Sequence, residues 1–160
     1  MAVKQSKTNA LRHLDTLRIP YIVFSYDTDD GKIDGVSVCH KIKKDPIKFF
    51  KTLVTICKNG EVFVFLVPVL EELDLKKASK VVNEKSLQLV PVKDLLSLTG
   101  YHRGGCSPIG MKKKFRIYVD SNIEDISSII ISGGKIGIVI EIHVVDFLKV
   151  TEAKITTLTT

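Results

Sequence analysis

An apolar hairpin in the first half of the chain limits what the rest can build. Thr52-Leu53-Val54-Thr55-Ile56-Cys57 is rich in β-formers, Lys58-Asn59-Gly60 follows, and Val62-Phe63-Val64-Phe65-Leu66-Val67 runs back. Asn-Gly supplies the left-handed backbone of a tight hairpin turn. The returning strand is apolar at every position, so it is buried on both faces. A chain of 160 residues has the size of one domain and can bury such a strand without disulfides or metals. No internal repeat, low-complexity linker or shift of composition divides it, so residues 1–160 are read as a single domain.

Helices and strands mix around this hairpin. Ser6 or Thr8 caps a first helix reaching to about Arg18, with Leu11, Leu14 and Leu17 on one face. Tyr21 to Tyr26 reads as a strand. Asp27 to Gly35 carries four aspartates and two glycines and reads as a loop. A short helix over Ser37 to Lys43 comes next, then a brief one opened by Asp45-Pro46. Beyond the hairpin come a helix at Leu75–Val82, a strand at Leu87–Val90 and a helix from Pro91 to Leu98, closed by Gly100. Strands at Phe115–Val119, Ile126–Ile131 and Ile136–Ile142, a helix at His143–Val150 and a strand within Ala153–Leu158 complete the chain. Hairpins rather than helical crossovers join several strands. The expected class is α+β, with a mixed, mainly antiparallel sheet that curls toward a barrel-like core.

Several functional classes are disfavoured. Cys39, Cys57 and Cys106 are odd in number and widely spaced, against a disulfide framework or structural zinc. His13, His40, His102 and His143 form no HxH or HExxH pair, so no metal is expected. No apolar run approaches the ~20 residues of a membrane span. Met1–Asn9 is polar and lacks the apolar core of a secretory signal, so a cytoplasmic location is expected. The net charge of +6 favours an anionic partner, nucleic acid or a phosphorylated small molecule.

Three features can carry chemistry. Tyr101-His102-Arg103-Gly104-Gly105-Cys106-Ser107-Pro108-Ile109-Gly110 concentrates glycines, a hydroxyl and a proline just before Lys112, Lys113 and Lys114. Such a loop offers backbone N–H groups beside positive charge, a cradle for an anionic or carbonyl oxygen, although an ordinary turn has the same composition. Lys51, in Phe50-Lys51-Thr52-Leu53, sits where a helix gives way to a buried strand; it points into a cleft or is a solvated strand end. Ser132-Gly133-Gly134-Lys135 is a second glycine turn that either brings amides to a ligand or closes a hairpin.

In order and spacing these motifs resemble the YbaK/EbsC family of aminoacyl-tRNA deacylases, related to the editing domain of bacterial prolyl-tRNA synthetases. The resemblance runs from the opening helix and strand ending at Tyr26, through Phe50-Lys51-Thr52-Leu53, Leu73-Asp74-Leu75-Lys76-Lys77 and Thr99-Gly100-Tyr101, to Gly104-Gly105-Cys106-Ser107-Pro108-Ile109-Gly110 and Ser132-Gly133-Gly134-Lys135. It implies a barrel-like α+β fold and hydrolysis of the ester that joins a wrong amino acid to tRNA. The GGxSP form of the loop is similar to members that remove cysteine from proline tRNA, which a synthetase pocket admits because the two side chains are close in size. The resemblance implies catalysis involving Lys51. It implies substrate binding by Tyr26, Thr52, Gly104, Gly105, Ser107, Pro108, Ser132, Gly133 and Gly134. It also implies attack by the substrate's own thiolate, no cofactor, and aminoacyl-tRNA(Pro) and prolyl-tRNA synthetase as partners.

One departure bears on substrate identity. Where cysteine-specific members have Gly-Leu-Asp-Ile-Glu, this chain has Gly137-Ile138-Val139-Ile140-Glu141, and Asp27 or Asp29 is the available substitute for the missing carboxylate. Cys106 fills the variable position of GGxSP and is read as a small buried thiol. Removal of alanine instead of cysteine, or tRNA or synthetase binding without catalysis, remain the competing functions.

Overall fold

A computed structural model describes residues 7–160 of the chain. Five α-helices and eight strands follow in the order α1 (Asn9–Thr16), β1 (Ile22–Ser25), α2 (Gly35–Ile42), β2 (Phe50–Ile56), β3 (Val62–Pro68), α3 (Leu75–Val81), β4 (Gln88–Leu89), α4 (Val92–Thr99), β5 (Arg116–Asp120), β6 (Ser128–Ser132), β7 (Ile138–His143), α5 (Val144–Thr151) and β8 (Lys154–Thr156). Thr8 caps α1 by accepting from Leu11 N at 3.3 Å; the alternative cap, Ser6, lies outside the described residues.

The strands form two sheets. The larger runs β4-β2-β3-β5-β8 and the smaller β1-β7-β6. Pairing is antiparallel for β1–β7, β2–β3, β2–β4 and β6–β7, and parallel for β3–β5 and β5–β8. The mixed, mainly antiparallel α+β class expected from the sequence is therefore found. A closed barrel is not. One parallel bridge, Phe49 to Ile130, joins the sheets. With β4 two residues long and β8 three, the ladder is too short to curl round on itself.

The apolar strand β3 explains the rest of the packing. All seven of its residues are buried. Val62, Val64 and Leu66 face a core shared with Leu11 and Leu14 of α1, Ile129 and Ile131 of β6, Ile140 of β7 and Phe147 of α5. Phe63, Phe65 and Val67 face the opposite side, against Ala78 of α3, Val82, Leu87, Tyr118 and Leu158. There the Phe65 and Tyr118 rings stack with centroids 5.5 Å apart. Each such buried side chain contributes roughly 1.5–3 kcal/mol of transfer free energy. A third cluster, Val38, Cys39, Phe49, Ile130 and Val139, seals the far face of the smaller sheet under α2.

Local details also depart from the sequence reading. The segment opened by Asp45-Pro46 is a single 3-10 turn, Pro46–Lys48, with the Asp45 carboxylate accepting from Ile47 N at 3.0 Å. Strand β2 starts at Phe50, so Lys51 is its second residue rather than a helix end. A 3-10 helix, Ser121–Asp125, precedes β6 and displaces its start to Ser128. Its cap, the buried Asp120, accepts from Asn122 N at 3.1 Å and from Leu158 N at 2.9 Å, tying the C-terminal segment to β5.

Candidate active site

The glycine loop between α4 and β5 is held from within. Tyr101 donates its hydroxyl to Ile109 O at 2.6 Å, Thr99 Oγ1 accepts from Tyr101 N at 3.1 Å, and Ser107 Oγ accepts from Ile109 N at 3.2 Å. Gly104 has a left-handed φ of 85°, where a side chain would be strained. At Gly105 a Cβ would lie 2.7 Å from Lys135 Cα, so only glycine lets this loop dock on the Ser132–Lys135 turn. The two glycine motifs thus meet in space, although 26 residues lie between Gly105 and Ser132.

Beside this junction lies a cleft of about 380 Å³ between the start of α2, the start of β2 and the glycine loop. Of the residues singled out in the sequence, Lys51, Thr52, Gly104 and Ser132 line it. The Lys51 ammonium is 3.5 Å from Glu72 Oε1. The Glu72 side chain is 83% exposed, so this pair is worth about 0–1 kcal/mol and yields readily to a substrate anion. The Thr52 hydroxyl is buried and has no hydrogen-bond partner among the described residues, a cost of about 1–3 kcal/mol.

The amides divide sharply. Gly105 N donates to His102 O, Gly133 N to Ile138 O and Gly134 N to Ser132 Oγ. Among the described residues, Gly104 alone of these four glycines retains an amide without a protein acceptor. Gly104 lines the cleft, and an unpaired amide is the kind of group that can meet an oxyanion.

Tyr26, Gly105, Ser107, Pro108, Gly133 and Gly134 are not on the cleft wall. The Tyr26 ring packs against the cluster under α2, with the Lys41 ammonium 6.0 Å from its centroid. Gly105 is consumed by the loop junction. Ser107 is fully buried, its oxygen spent on the Ile109 amide. Pro108 faces a different groove. Gly133 accepts from the Thr8 hydroxyl at 2.6 Å, which anchors α1 to the turn.

Two charged residues that did not stand out as site residues in the sequence do line the cleft. Arg103 is exposed there and forms no ion pair among the described residues. Asp34 caps α2, with Oδ2 accepting from Ser37 N at 3.1 Å and Oδ1 from Ser37 Oγ at 2.6 Å. The Ser37 hydroxyl, then its amide, holds this carboxyl below the usual range, so it is ionised. The signal was present as Asp34-Gly35-Val36-Ser37, a helix-start pattern. Asp27 and Asp29 lie off the cleft wall, with Asp27 Oδ1 accepting from Asp29 N at 3.0 Å. Val139 is buried among Val38, Cys39, Phe49 and Ile130, also off the wall.

Cys106 reaches the cleft as a buried residue, and burial pushes its thiol up to about 11. At neutral pH about one thiol in ten thousand is ionised, so it is a poor nucleophile. Among the described residues no histidine lines the cleft, which leaves the Ser132 and Thr52 hydroxyls without a neighbouring imidazole base there.

Comparison with known proteins converges on one group. The family model of the aminoacyl-tRNA editing domain matches residues 34–150. A protein of Enterococcus faecalis named "Putative Cys-tRNA(Pro)/Cys-tRNA(Cys) deacylase EbsC" is 37% identical over 156 residues, covering 98% of this chain and 95% of the relative. A proline–tRNA ligase of Brachyspira hyodysenteriae is 28% identical over 87 residues, 54% of this chain and 15% of the ligase. Among solved structures, "a putative trans-editing enzyme for prolyl tRNA synthetase" superposes with a TM-score of 0.85 at 21% identity, covering 98% of this chain and 99% of the other. The protein APE2540 gives the same TM-score at 14% identity. At such identities these structural likenesses concern the fold.

Proposed function

The chain belongs to the aminoacyl-tRNA editing family, and from that membership we propose that it is a free-standing deacylase that clears proline tRNA mischarged with cysteine. The reading rests on a cleft that offers cations, one carboxylate and one free amide but no activated protein nucleophile. A substrate that carries its own thiol needs none.

In this reading the ester carbonyl lies against Gly104 N–H. The Asp34 carboxylate takes the α-ammonium, and Lys51 takes the terminal phosphate or the charge that develops near the carbonyl. The cysteine thiolate attacks its own ester carbon. A C–S bond forms, the bond to the ribose oxygen breaks, and that oxygen leaves with a proton as the tRNA hydroxyl. Water then opens the cyclic thioester to free cysteine. The protein acts mainly by holding thiolate and carbonyl together, a factor that reaches several orders of magnitude. Residues 1–160 act as one editing unit. We place it in the cytoplasm, where aminoacyl-tRNA is made, with prolyl-tRNA synthetase as the source of selectivity for the tRNA body.

The test is deacylation of Cys-, Ala- and Ser-tRNA(Pro) side by side. Release of cysteine alone is expected. Serine matches cysteine in shape but lacks the thiol, so equal release of serine would overturn thiol assistance. Release of alanine alone would move the specificity while keeping the reaction. Binding of all three with no release would leave a non-catalytic tRNA-binding module.

A further inference from the structure

Two grooves away from the Lys51 cleft run together into one trough. The first, about 540 Å³, lies between α1 and the second half of the glycine loop. The other, about 350 Å³, continues it along β5 and β8. Both include Lys114, Phe115, Ile117, Thr151 and Glu152. The walls carry Arg12 and His13 from α1, Lys113, Lys114 and Arg116 from the chain entering β5, and Lys154 from β8. All six are exposed. One carboxylate faces them, Glu152, 3.0 Å from the Lys114 ammonium. Five fixed positive charges against one negative give a local surplus of four in a chain whose whole surplus is six.

Three further observations bear on what the trough holds. Phe115 belongs to both grooves and is half-buried, packed against the main core with part of its side chain left among the cations. Positive grooves with exposed aromatic rings suit nucleic acid, because phosphates meet the charges and bases stack on the ring. The cations sit on fixed backbone: a Cβ on Gly110 would lie 2.8 Å from Asn9 O, so the start of α1 rests directly on the loop. Finally, one loop walls both sites. Its Arg103, Gly104 and Cys106 line the Lys51 cleft, and its Pro108 to Lys114 half lines the trough. Cys106 and Pro108 are two residues apart, ~7 Å at most.

We propose that this trough binds the phosphate backbone of the acceptor stem of the aminoacyl-tRNA whose 3′ end lies in the Lys51 cleft. The proposal rests on the deacylase reading. It assigns a role to α1 and β8, which flank the residues 34–150 matched by the family model. The chain then carries its own electrostatic grip on RNA, sequence-independent and sensitive to salt.

The test combines Arg12→Ala, Lys113→Ala and Lys154→Ala in one variant, none of them in the cleft. Binding of an uncharged acceptor-stem hairpin ending in CCA is followed by fluorescence anisotropy across a salt titration, with no hydrolysis required. The expected results are affinity weaker by on the order of tenfold or more at 0.15 M salt and a log–log salt slope shallower by about 2, at ~0.7–0.9 per lost phosphate contact. Hydrolysis of 3′-cysteinyl-adenosine, too small to reach the trough, should be unchanged, while KM for the full aminoacyl-tRNA rises. Glu152→Gln, which removes the opposing carboxylate, should tighten hairpin binding. Unchanged affinity and slope in both variants would overturn the proposal and leave the deacylase reading standing. Unchanged hairpin binding with lost binding to prolyl-tRNA synthetase would overturn it in favour of a protein partner. Lack of hydrolysis of any ester by the unmodified protein would instead remove the deacylase reading, while the anisotropy would still report on the trough.

Discussion

Lys51 and Thr52 are neighbours on one strand with opposite physical situations. The lysine has a weak, exposed partner in Glu72, and the threonine hydroxyl has none among the described residues. Lys51→Ala should lower kcat/KM for Cys-tRNA(Pro) by about 10²–10³-fold, the scale of losing one preorganised charge-stabilising group. Loss of a surface ion pair changes folding stability by at most ~1 kcal/mol, so the melting temperature should barely move. Glu72→Gln should leave activity intact or raise it slightly, because it frees the ammonium. Equal activity in Lys51→Ala would remove this side chain from the mechanism. Thr52→Val replaces an orphaned hydroxyl by a methyl of nearly the same shape. It should therefore stabilise the fold, by up to roughly 1–3 kcal/mol in urea unfolding, and leave KM little changed, because the hydroxyl has no surface open to the cleft. A loss of stability would mean that the hydroxyl does have a hydrogen-bond partner in the folded protein. The site was legible in the sequence where chemistry and local pattern coincide, as at Lys51 and Gly104. It was not legible where backbone hydrogen bonds had already been assigned. Nothing in the letters Gly105, Gly133 and Gly134 says that their amides are spent inside the fold, and nothing in Asp34 says that its helix begins at a cleft.

At the scale of elements, the glycine loop is positioned by a contact with no tolerance. Gly105→Ala puts a methyl 2.7–2.9 Å from the backbone of Lys135 and Ile136, and backbone cannot step aside as the end of a flexible side chain does. Overpacking of this kind typically costs 1–3 kcal/mol. The expected outcome is a modest drop in denaturant midpoint together with a much larger drop in deacylation, because separating the loop from the turn displaces Gly104 and Arg103. A loss of stability with full activity would show that the cleft tolerates the shift. The fold was readable from elements of this kind to unequal degrees. The β2–β3 hairpin was visible from its apolar run and Asn-Gly turn, since both faces of β3 meet cores. The parallel pairing of β5 with β3 and β8 was not. It depends on crossovers through α3, β4 and α4, and through β6, β7 and α5, which leave no periodic trace in the strands they join. That the barrel-like arrangement stays open was unreadable for a related reason, as period-two patterns give a strand's faces but not the length of the ladder at its edges.

Across the whole molecule, the cleft lies where the two sheets, which share a core, are bridged at Phe49 and Ile130, so its geometry depends on whatever fixes that joint. Glu141 on β7 is the group placed to do this. Its side chain is 9% exposed, accepts from Ser128 Oγ at 2.6 Å, and lies 3.1 Å from the Lys44 ammonium and 3.6 Å from that of Lys48. Lys44 precedes and Lys48 ends the 3-10 turn that leads into Phe49 and β2, so the carboxylate ties the connector that feeds the strand carrying Lys51 to the smaller sheet. Burial alone would raise the Glu141 pKa. The Ser128 hydroxyl and the two ammonium groups outweigh it, and the net shift is downward. A depressed carboxylate contributes stability that is present above its unfolded value, near 4.5, and is lost as pH falls through the lower folded value. Glu141→Gln should therefore cost about 1–2 kcal/mol at pH 7, less than a fully buried pair because each lysine is about one-third exposed. The difference from the unmodified protein should shrink as pH falls below about 4.5 and vanish once the native carboxyl is protonated. Urea unfolding at pH 7, 5 and 3 measures this directly. If the joint also positions the cleft, the variant should lose kcat/KM at pH 7 while Lys44→Arg, which keeps the charge, retains it. A Glu141→Gln penalty that is the same at all three pH values would show that the side chain acts by shape rather than charge, and the account of the joint would fail.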